Sequence, residues 1–187
     1  MESFDQQITL FLNQFHNSGF DTFFWYVSLK YTWFVFGALL LTYLFIKKKP
    51  KEAFIFLLFM GLMILCTDQL CNLVKHGVAR LRPCWDEDIS PMIHIVNDDR
   101  GGKFGFFSAH AAIFFGLAYM TSQYFQQKYY TISIYTIAIL VSYSRIYLGR
   151  HYLGDVIVGA IVGTLFAILA WKGYTLFNKR LNRQTNK

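Results

Sequence analysis

The sequence is short of charge. Of its 187 residues, 16% are Asp, Glu, Lys or Arg, where a soluble domain carries about 25%. In their place stand apolar segments of about 20 residues, enough to cross a bilayer, in a chain that is 55% hydrophobic and 19% aromatic. That excludes an ordinary soluble domain and predicts one all-α, membrane-embedded domain over residues 1–187. Cysteine is scarce too. Cys66, Cys71 and Cys84 make no disulfide framework: the first two fall five residues apart in an apolar segment, and Cys84 falls in a loop without an evident mate. No internal repeat, low-complexity run or linker divides the chain. The first residues lack the basic start and cleavage site of a secretory leader, so no cleavable leader is expected. No metal-ligand cluster stands out, and neither metal nor cofactor is expected. The formal charge of +7 does not point to nucleic acid, because basic loops in a membrane protein set its orientation and hold anionic lipid.

What is present is a series of helices. Residues 2–17 place Phe4, Ile8, Phe11, Leu12 and Phe15 on one helical face, with Asp5, Gln6, Thr9, Asn13, Gln14 and Asn17 on the other. This pattern suits an amphipathic helix lying in the membrane interface, or one packed on a bundle. Five spans are expected: Phe23–Ile46, with Lys30 snorkelling near its start, Glu52–Val74, Ser108–Phe125, Tyr129–Tyr147, and a last one from His151 or Gly154 to Phe177. Residues 75–106 form a long polar loop. Five spans put the chain ends on opposite sides. The basic turn 47–51, the 126–128 turn, Lys172 and the tail 178–187 hold ten Lys or Arg. The opposite side holds eight: Lys30, Lys75, Arg80, Arg82, Arg100, Lys103, Arg145 and Arg150. Positive residues favour the cytoplasm, which predicts an inner tail and an outer loop, as in a bacterial plasma membrane protein whose polar layer faces the periplasm.

The unusual polar residues gather at outer helix ends. In Ser144-Arg145-x5-His151-x3-Asp155, the four-residue step from His151 to Asp155 puts both side chains on one helical face. A carboxylate that accepts one ring proton leaves the other ring nitrogen free as a nucleophile or base. Gly149 breaks the chain between them and Arg145, whose guanidinium suits bidentate binding of phosphate oxygens. Lys75 and Arg82 extend the second span and, seven apart, are expected on one face over two turns; Pro83 limits the helix beyond them. Ser108 is a natural N-cap at a helix start that attracts anions, and His110 in the first turn suits a general acid. Asp68 lies inside the second span, with Asn72 and Lys75 on its face. An acid there is by default functional, pairing with a cation of the site or hydrogen-bonding a neighbouring helix. Each cluster alone also suits a blander role, as snorkelling cations, a plain cap or a structural histidine.

Together, Lys75-x6-Arg82-Pro83, Ser108-x-His110 and Ser144-Arg145-x5-His151-x3-Asp155 resemble the three signature motifs of the type 2 phosphatidic acid phosphatase family, which includes membrane lipid phosphatases and is related to vanadium haloperoxidases. The resemblance covers roughly residues 53–175. It departs at the second motif, where the family reads Pro-Ser-Gly-His and this chain reads Phe107-Ser108-Ala109-His110. The resemblance implies a metal-independent phosphatase. His151 attacks phosphorus to form a phosphohistidine, Asp155 holds its tautomer, and His110 protonates the leaving group. Lys75, Arg82, Arg145, Ser108 and the Ala109 N–H bind the oxygens, with Ser144 and Asp68 in support. Undecaprenyl diphosphate, phosphatidylglycerophosphate, phosphatidic acid and the phosphates of lipid A are all open as substrates. A non-enzymatic lipid-phosphate binding or transport protein is the alternative. The oligomeric state is not legible.

Overall fold

A computed structural model of the chain describes residues 3–47 and 49–185, with backbone only for Lys30, Phe36, Leu39, Lys47, Asn182, Gln184 and Thr185. Lys48, the first and last two residues, and the expected snorkelling of Lys30 therefore lie outside what is described.

Among the described residues seven α-helices form, in order α1 (Phe4–Asn13), α2 (Ser18–Ser28), α3 (Lys30–Lys47), α4 (Pro50–Val78), α5 (Ala109–Phe125), α6 (Lys128–Tyr147) and α7 (Leu153–Thr185). No strand forms among the described residues; Leu81 and Phe104 make an isolated bridge. By length and hydropathy α4 and α7 can each cross a membrane, and α2 with α3 makes a third crossing if counted as one broken span. Helices α5 and α6, of 17 and 20 residues, complete the bundle with them. The all-α membrane architecture expected from composition is thus present. The end of the bundle where α4 begins and α5 finishes is closed by aromatic packing, where Phe56 stacks on Tyr124 at 4.0 Å and Tyr174 meets Phe56 edge-on.

Small residues set the tightest helix crossing. A Cβ on Gly159 would come within 2.5 Å of the Ser108 carbonyl oxygen, and one on Gly163 would overlap the Ala112 carbonyl. The Gly159-x3-Gly163 step thus brings α7 against the first turns of α5, the packing mode of small residues in membrane helices. The Ser108 N–H donates to the Asp155 carbonyl oxygen at 3.0 Å, so the starts of α5 and α7 meet at one level.

Three expectations are corrected. The first span is not one helix: it breaks at Leu29, whose backbone is extended, and α2 and α3 meet at 55°. No proline or glycine marks the break. Side chains satisfy the freed carbonyls instead, with the Thr32 hydroxyl donating to Tyr26 O and the Trp33 indole to Val27 O, both at 2.7 Å. Lys75 and Arg82 do not share a helical face, because α4 ends at Val78 with Ala79 in the left-handed region (φ 50°). Pro83 therefore does not end that helix; it opens a short 3-10 turn, Pro83–Trp85. His151 is not helical either: α7 begins at Leu153.

Helix α1 carries the expected amphipathic pattern but buries its polar face. Thr9 and Asn13 are fully buried while Phe4, Phe11 and Phe15 are exposed. The Asn13 amide donates to the carbonyls of Ile146, Tyr147 and His94, and the Leu153 N–H donates to the Thr9 hydroxyl at 3.1 Å. Exposed phenylalanines on one side and polar residues buried against protein on the other reconcile the two readings of this segment: α1 is packed on the bundle, and its outward face suits the interface.

Candidate active site

The site is built from four chain segments at the end of the bundle where α4 and α6 finish and α5 and α7 begin. The α6–α7 turn supplies Arg145 and His151. Helix α6 ends at Tyr147, and Gly149 (φ 65°) reverses the chain at a place where a Cβ would strike Ile93. The N–H groups of Arg150 and His151 then both donate to the Arg145 carbonyl oxygen, at 2.9 and 3.2 Å. This locks the two signature residues together despite the five positions between them.

The second segment follows α4. Residues 80–82 run antiparallel to residues 103–105: Arg82 N donates to Lys103 O at 3.1 Å and Gly105 N to Arg80 O at 2.9 Å. The Arg82 Nε donates to Phe104 O at 3.2 Å. So a backbone ladder and one side-chain bond, not a shared helix face, aim Arg82 at the site. Lys75 comes from the last turn of α4, and His110 from the first turn of α5.

These elements enclose a cavity of about 580 Å³. Its outer end is lined by Lys75, Arg82, Arg145, Arg150, His110 and His151. Trp33, Ile64, Phe114 and Leu117 line its apolar remainder, and Asp68, Gly101 and Ala109 also reach it. A cage of cations opening into an apolar groove suits an anionic head on a hydrophobic body. Arg145 is buried, and its guanidinium meets Ser28 at the α2–α3 break. The Nε atoms of Arg145 and Arg150 and the Nδ1 of His151 are buried without a protein partner among the described residues. Asp68 accepts a hydrogen bond from the Asn72 amide at 3.1 Å.

His151 and Asp155 are brought together, with Nδ1 and Oδ2 3.5 Å apart and side chains 2% and 0% exposed. That is longer than a hydrogen bond, although catalytic hydrogen bonds commonly tighten only with substrate bound. Burial, and then the charges of Arg145, Arg82, Lys75 and Arg150, hold the His151 imidazole well below the usual histidine value. A neutral ring is the form that has a nucleophilic lone pair. Burial and the nearby Arg150 charge also depress Arg82, from the ordinary arginine value.

Ser108, expected to bind phosphate, and Ser144, expected to support the site, both hydrogen-bond to the backbone of their own helices. Ser108 is fully buried, and its hydroxyl accepts from the Ala111 N–H at 3.4 Å as the α5 cap. The Ser144 hydroxyl is also buried and donates to Val141 O at 2.6 Å. Neither lines the cavity; Ala109 does.

Three neighbours of the site carry no signal in the motifs. Arg150 contributes a fourth cation to the cavity wall and is paired with Asp99. Arg80 pairs with Asp155 at 2.7 Å. Gly105 packs where a Cβ would stand 3.1 Å from Asp155 Oδ2 and 3.6 Å from His151 Nδ1. Only the density of arginine in residues 80–82 hinted at the second of these.

The chain is 36% identical to a lipid A 4′-phosphatase of Porphyromonas gingivalis over 177 residues, which is 94% of this chain and 75% of that protein. It is 38% identical to a lipid A 4′-phosphatase of Bacteroides thetaiotaomicron over 165 residues, 87% of this chain and 73% of that one. In fold it is similar to Aquifex aeolicus LpxE (TM-score 0.68, 23% identity, 91% of this chain and 96% of that one). It is also similar to a PAP2 type phosphatidylglycerolphosphate phosphatase from Bacillus subtilis (TM-score 0.66, 22% identity, 91% and 84%). Residues 53–179, a stretch that takes in every signature residue, match the PAP2 superfamily, and the chain is an integral membrane phosphatase of that superfamily.

Proposed function

We propose that the protein removes the 4′-phosphate of lipid A through a phosphohistidine. The observation that carries the chemistry is the buried, neutral His151 facing a cavity whose outer end holds four cations and a second histidine. The free ring nitrogen of His151 attacks phosphorus as the bond to the sugar oxygen breaks. His110, protonated once the negative charge of the phosphate enters the cage, gives that proton to the departing oxygen. Water then cleaves the P–N bond, passing its proton to His110 as its oxygen joins phosphorus, so phosphate is released and both histidines are restored. Lys75, Arg82, Arg145 and the Ala109 N–H hold the oxygens, whose charge they stabilise as it develops. Asp155 directs the His151 tautomer. Ser108 and Ser144 support the site through the backbone they fix, not by touching phosphate.

The choice of lipid A rests on the two curated relatives and on Asp68. Asp68 gives the cavity an acceptor one or two turns below Lys75. An acylated glucosamine phosphate offers hydroxyl and amide donors near its phosphate. Phosphatidic acid and undecaprenyl diphosphate offer none there beyond the phosphate itself. The surplus of Lys and Arg at the opposite end supports a site on the outer face of the membrane.

Purified protein given lipid A, phosphatidylglycerophosphate, phosphatidic acid and undecaprenyl diphosphate should release phosphate fastest from lipid A, with mass spectrometry locating the loss at the 4′ position. Faster release from any other member of the panel overturns the substrate. The facing is checked with an impermeant thiol reagent on intact cells, after replacement of Cys66 and Cys84. A cysteine in loop 97–103 should react and one at 179–183 should not; the reverse pattern overturns the outward site.

A further inference from the structure

The strongest polar network in the molecule stands behind the cavity, not in it. Asp155 is completely buried. Its Oδ1 accepts from Arg80 at 2.7 Å, and its Oδ2 accepts from the Tyr152 N–H at 3.1 Å while facing His151. Arg80 is itself held from three sides. Its other terminal nitrogen donates to Asp5 Oδ2 at 2.7 Å, its guanidinium lies 4.1 Å from the centre of the Tyr152 ring, and the Tyr152 hydroxyl donates to Asp86 at 2.5 Å. Asp5 in turn accepts from the Gly154 N–H at 2.9 Å. A Cβ on Gly154 would come 2.7 Å from Asp5 Oδ2, so a glycine there admits the carboxylate to the start of α7. Gln6, the next residue of α1, donates to the same Asp86 oxygen at 3.2 Å.

Arg80 is absent from the wall of the 580 Å³ cavity and borders a separate depression with Ser3, Gln6, Asp86 and Tyr152. It has no path to a phosphate except through Asp155. We infer that Arg80 and Asp5 are positioning residues for the reacting histidine: α1, which lies before the stretch matched to the superfamily, anchors Arg80 through Asp5, and Arg80 fixes the Asp155 carboxylate with its second oxygen toward His151 Nδ1. This rests on His151 being the nucleophile. The groups facing Asp155 are Arg80 and Arg82 from the chain after α4, and His151 and Tyr152 of its own turn. A buried carboxylate keeps its charge only when paired, and among these Arg80 is the cation in contact. Without it, Asp155 takes up a proton or turns away, and the ring loses the acceptor that selects its tautomer.

The test separates positioning from simple bracing. Arg80→Gln should lower kcat on lipid A by roughly 10²-fold, the scale of a misplaced reacting group, with KM within about twofold because Arg80 does not touch substrate. Arg80→Lys, which keeps the charge but not the two-pronged geometry, should recover part of that loss. Asp5→Asn keeps an acceptor for the Gly154 N–H and should lower kcat by a smaller factor, on the order of threefold to tenfold. It also serves if Arg80→Gln does not fold. The second readout needs no turnover: ¹⁵N-histidine spectra should show His151 protonated at Nδ1 in the native chain and a mixture of tautomers in Arg80→Gln. A purely structural Arg80 would lower the melting temperature while leaving kcat and the His151 tautomer as they were, and that result overturns the inference. Turnover surviving in His151→Gln would instead remove the nucleophile reading, whatever the spectra show.

Discussion

Among the described residues, two histidine–carboxylate pairs stand at the site's end of the bundle, and the better-formed one is not in the site. His94 Nε2 lies 2.8 Å from Asp21 Oδ1, and the Tyr147 hydroxyl donates to the same oxygen at 2.5 Å. His94 also stacks on His16 at 3.8 Å, and its N–H donates to Asn13. His151 and Asp155 stand 3.5 Å apart. By distance alone, His94 looks like the prepared base. Surroundings reverse that ranking. His94 and Asp21 are about a quarter exposed and tie α1, α2, α6 and the long loop together. His151 is buried at the end of a cavity beside four cations. A pair is catalytic by what its free edge faces, so a carboxylate contact does not by itself identify a nucleophile.

The comparison is broken most directly by removing each histidine. On the proposed mechanism, His151→Ala should reduce phosphate release to background, since the other histidine of the cavity, His110, serves there as the acid. His94→Ala should keep turnover within a few-fold and lower stability by about 1–3 kcal/mol, the scale for losing a partner of a partly buried charged hydrogen bond. Phosphate release and thermal melting in detergent check both. Comparable activity losses in the two variants would erase the distinction.

The next test sharpens the role of geometry at the buried pair. Gly105 leaves just enough room for Asp155 and His151. In Gly105→Ala the added methyl presses on two buried side chains that have little space to yield, and kcat should fall on the order of tenfold to a hundredfold. Melting should change far less than kcat. Normal kcat would show that the pair tolerates displacement.

Residues that touch the cavity were largely legible in the sequence, because charges and histidines in helix-end patterns are rare in an apolar chain. Lys75, Arg82, His110, Arg145 and His151 converge on one cavity, as their motifs implied. What holds them there was not legible. Arg82 reaches the cavity through a backbone ladder after α4 has ended, and spacing counted along a helix cannot anticipate a left-handed Ala79. The break at Leu29 has no proline or glycine to announce it, since Thr32 and Trp33 satisfy the freed carbonyls from elsewhere. Helix α1 showed its two faces clearly, but hydropathy does not say that the polar one binds protein. Gly105 is one of 13 glycines, and its meaning exists only once Asp155 is beside it. Single-residue chemistry was readable, whereas long-range support depends on contacts between distant segments.

The smallest effect is the most discriminating between the two pairs. Burial and four surrounding cations hold His151 well below the usual histidine value, while the unfolded chain takes up that proton near pH 6.5. Between the folded and unfolded values the unfolded state binds more protons, so stability there rises with pH. The contribution of a neutral His151 is therefore intact above about pH 6.5 and is lost as pH falls from there toward the folded value. Other groups titrate as well, so the quantity to follow is the difference in melting temperature between the native chain and His151→Gln, from pH 8 down to pH 5. That difference should move against the native chain as the pH drops, because glutamine takes no proton in either state. If it moves in favour of the native chain, the folded form is gaining a proton at His151 and pairing it with Asp155 as an ion pair. The ring would then lack the lone pair that attack on phosphorus requires, and the buried pair would be a structural brace.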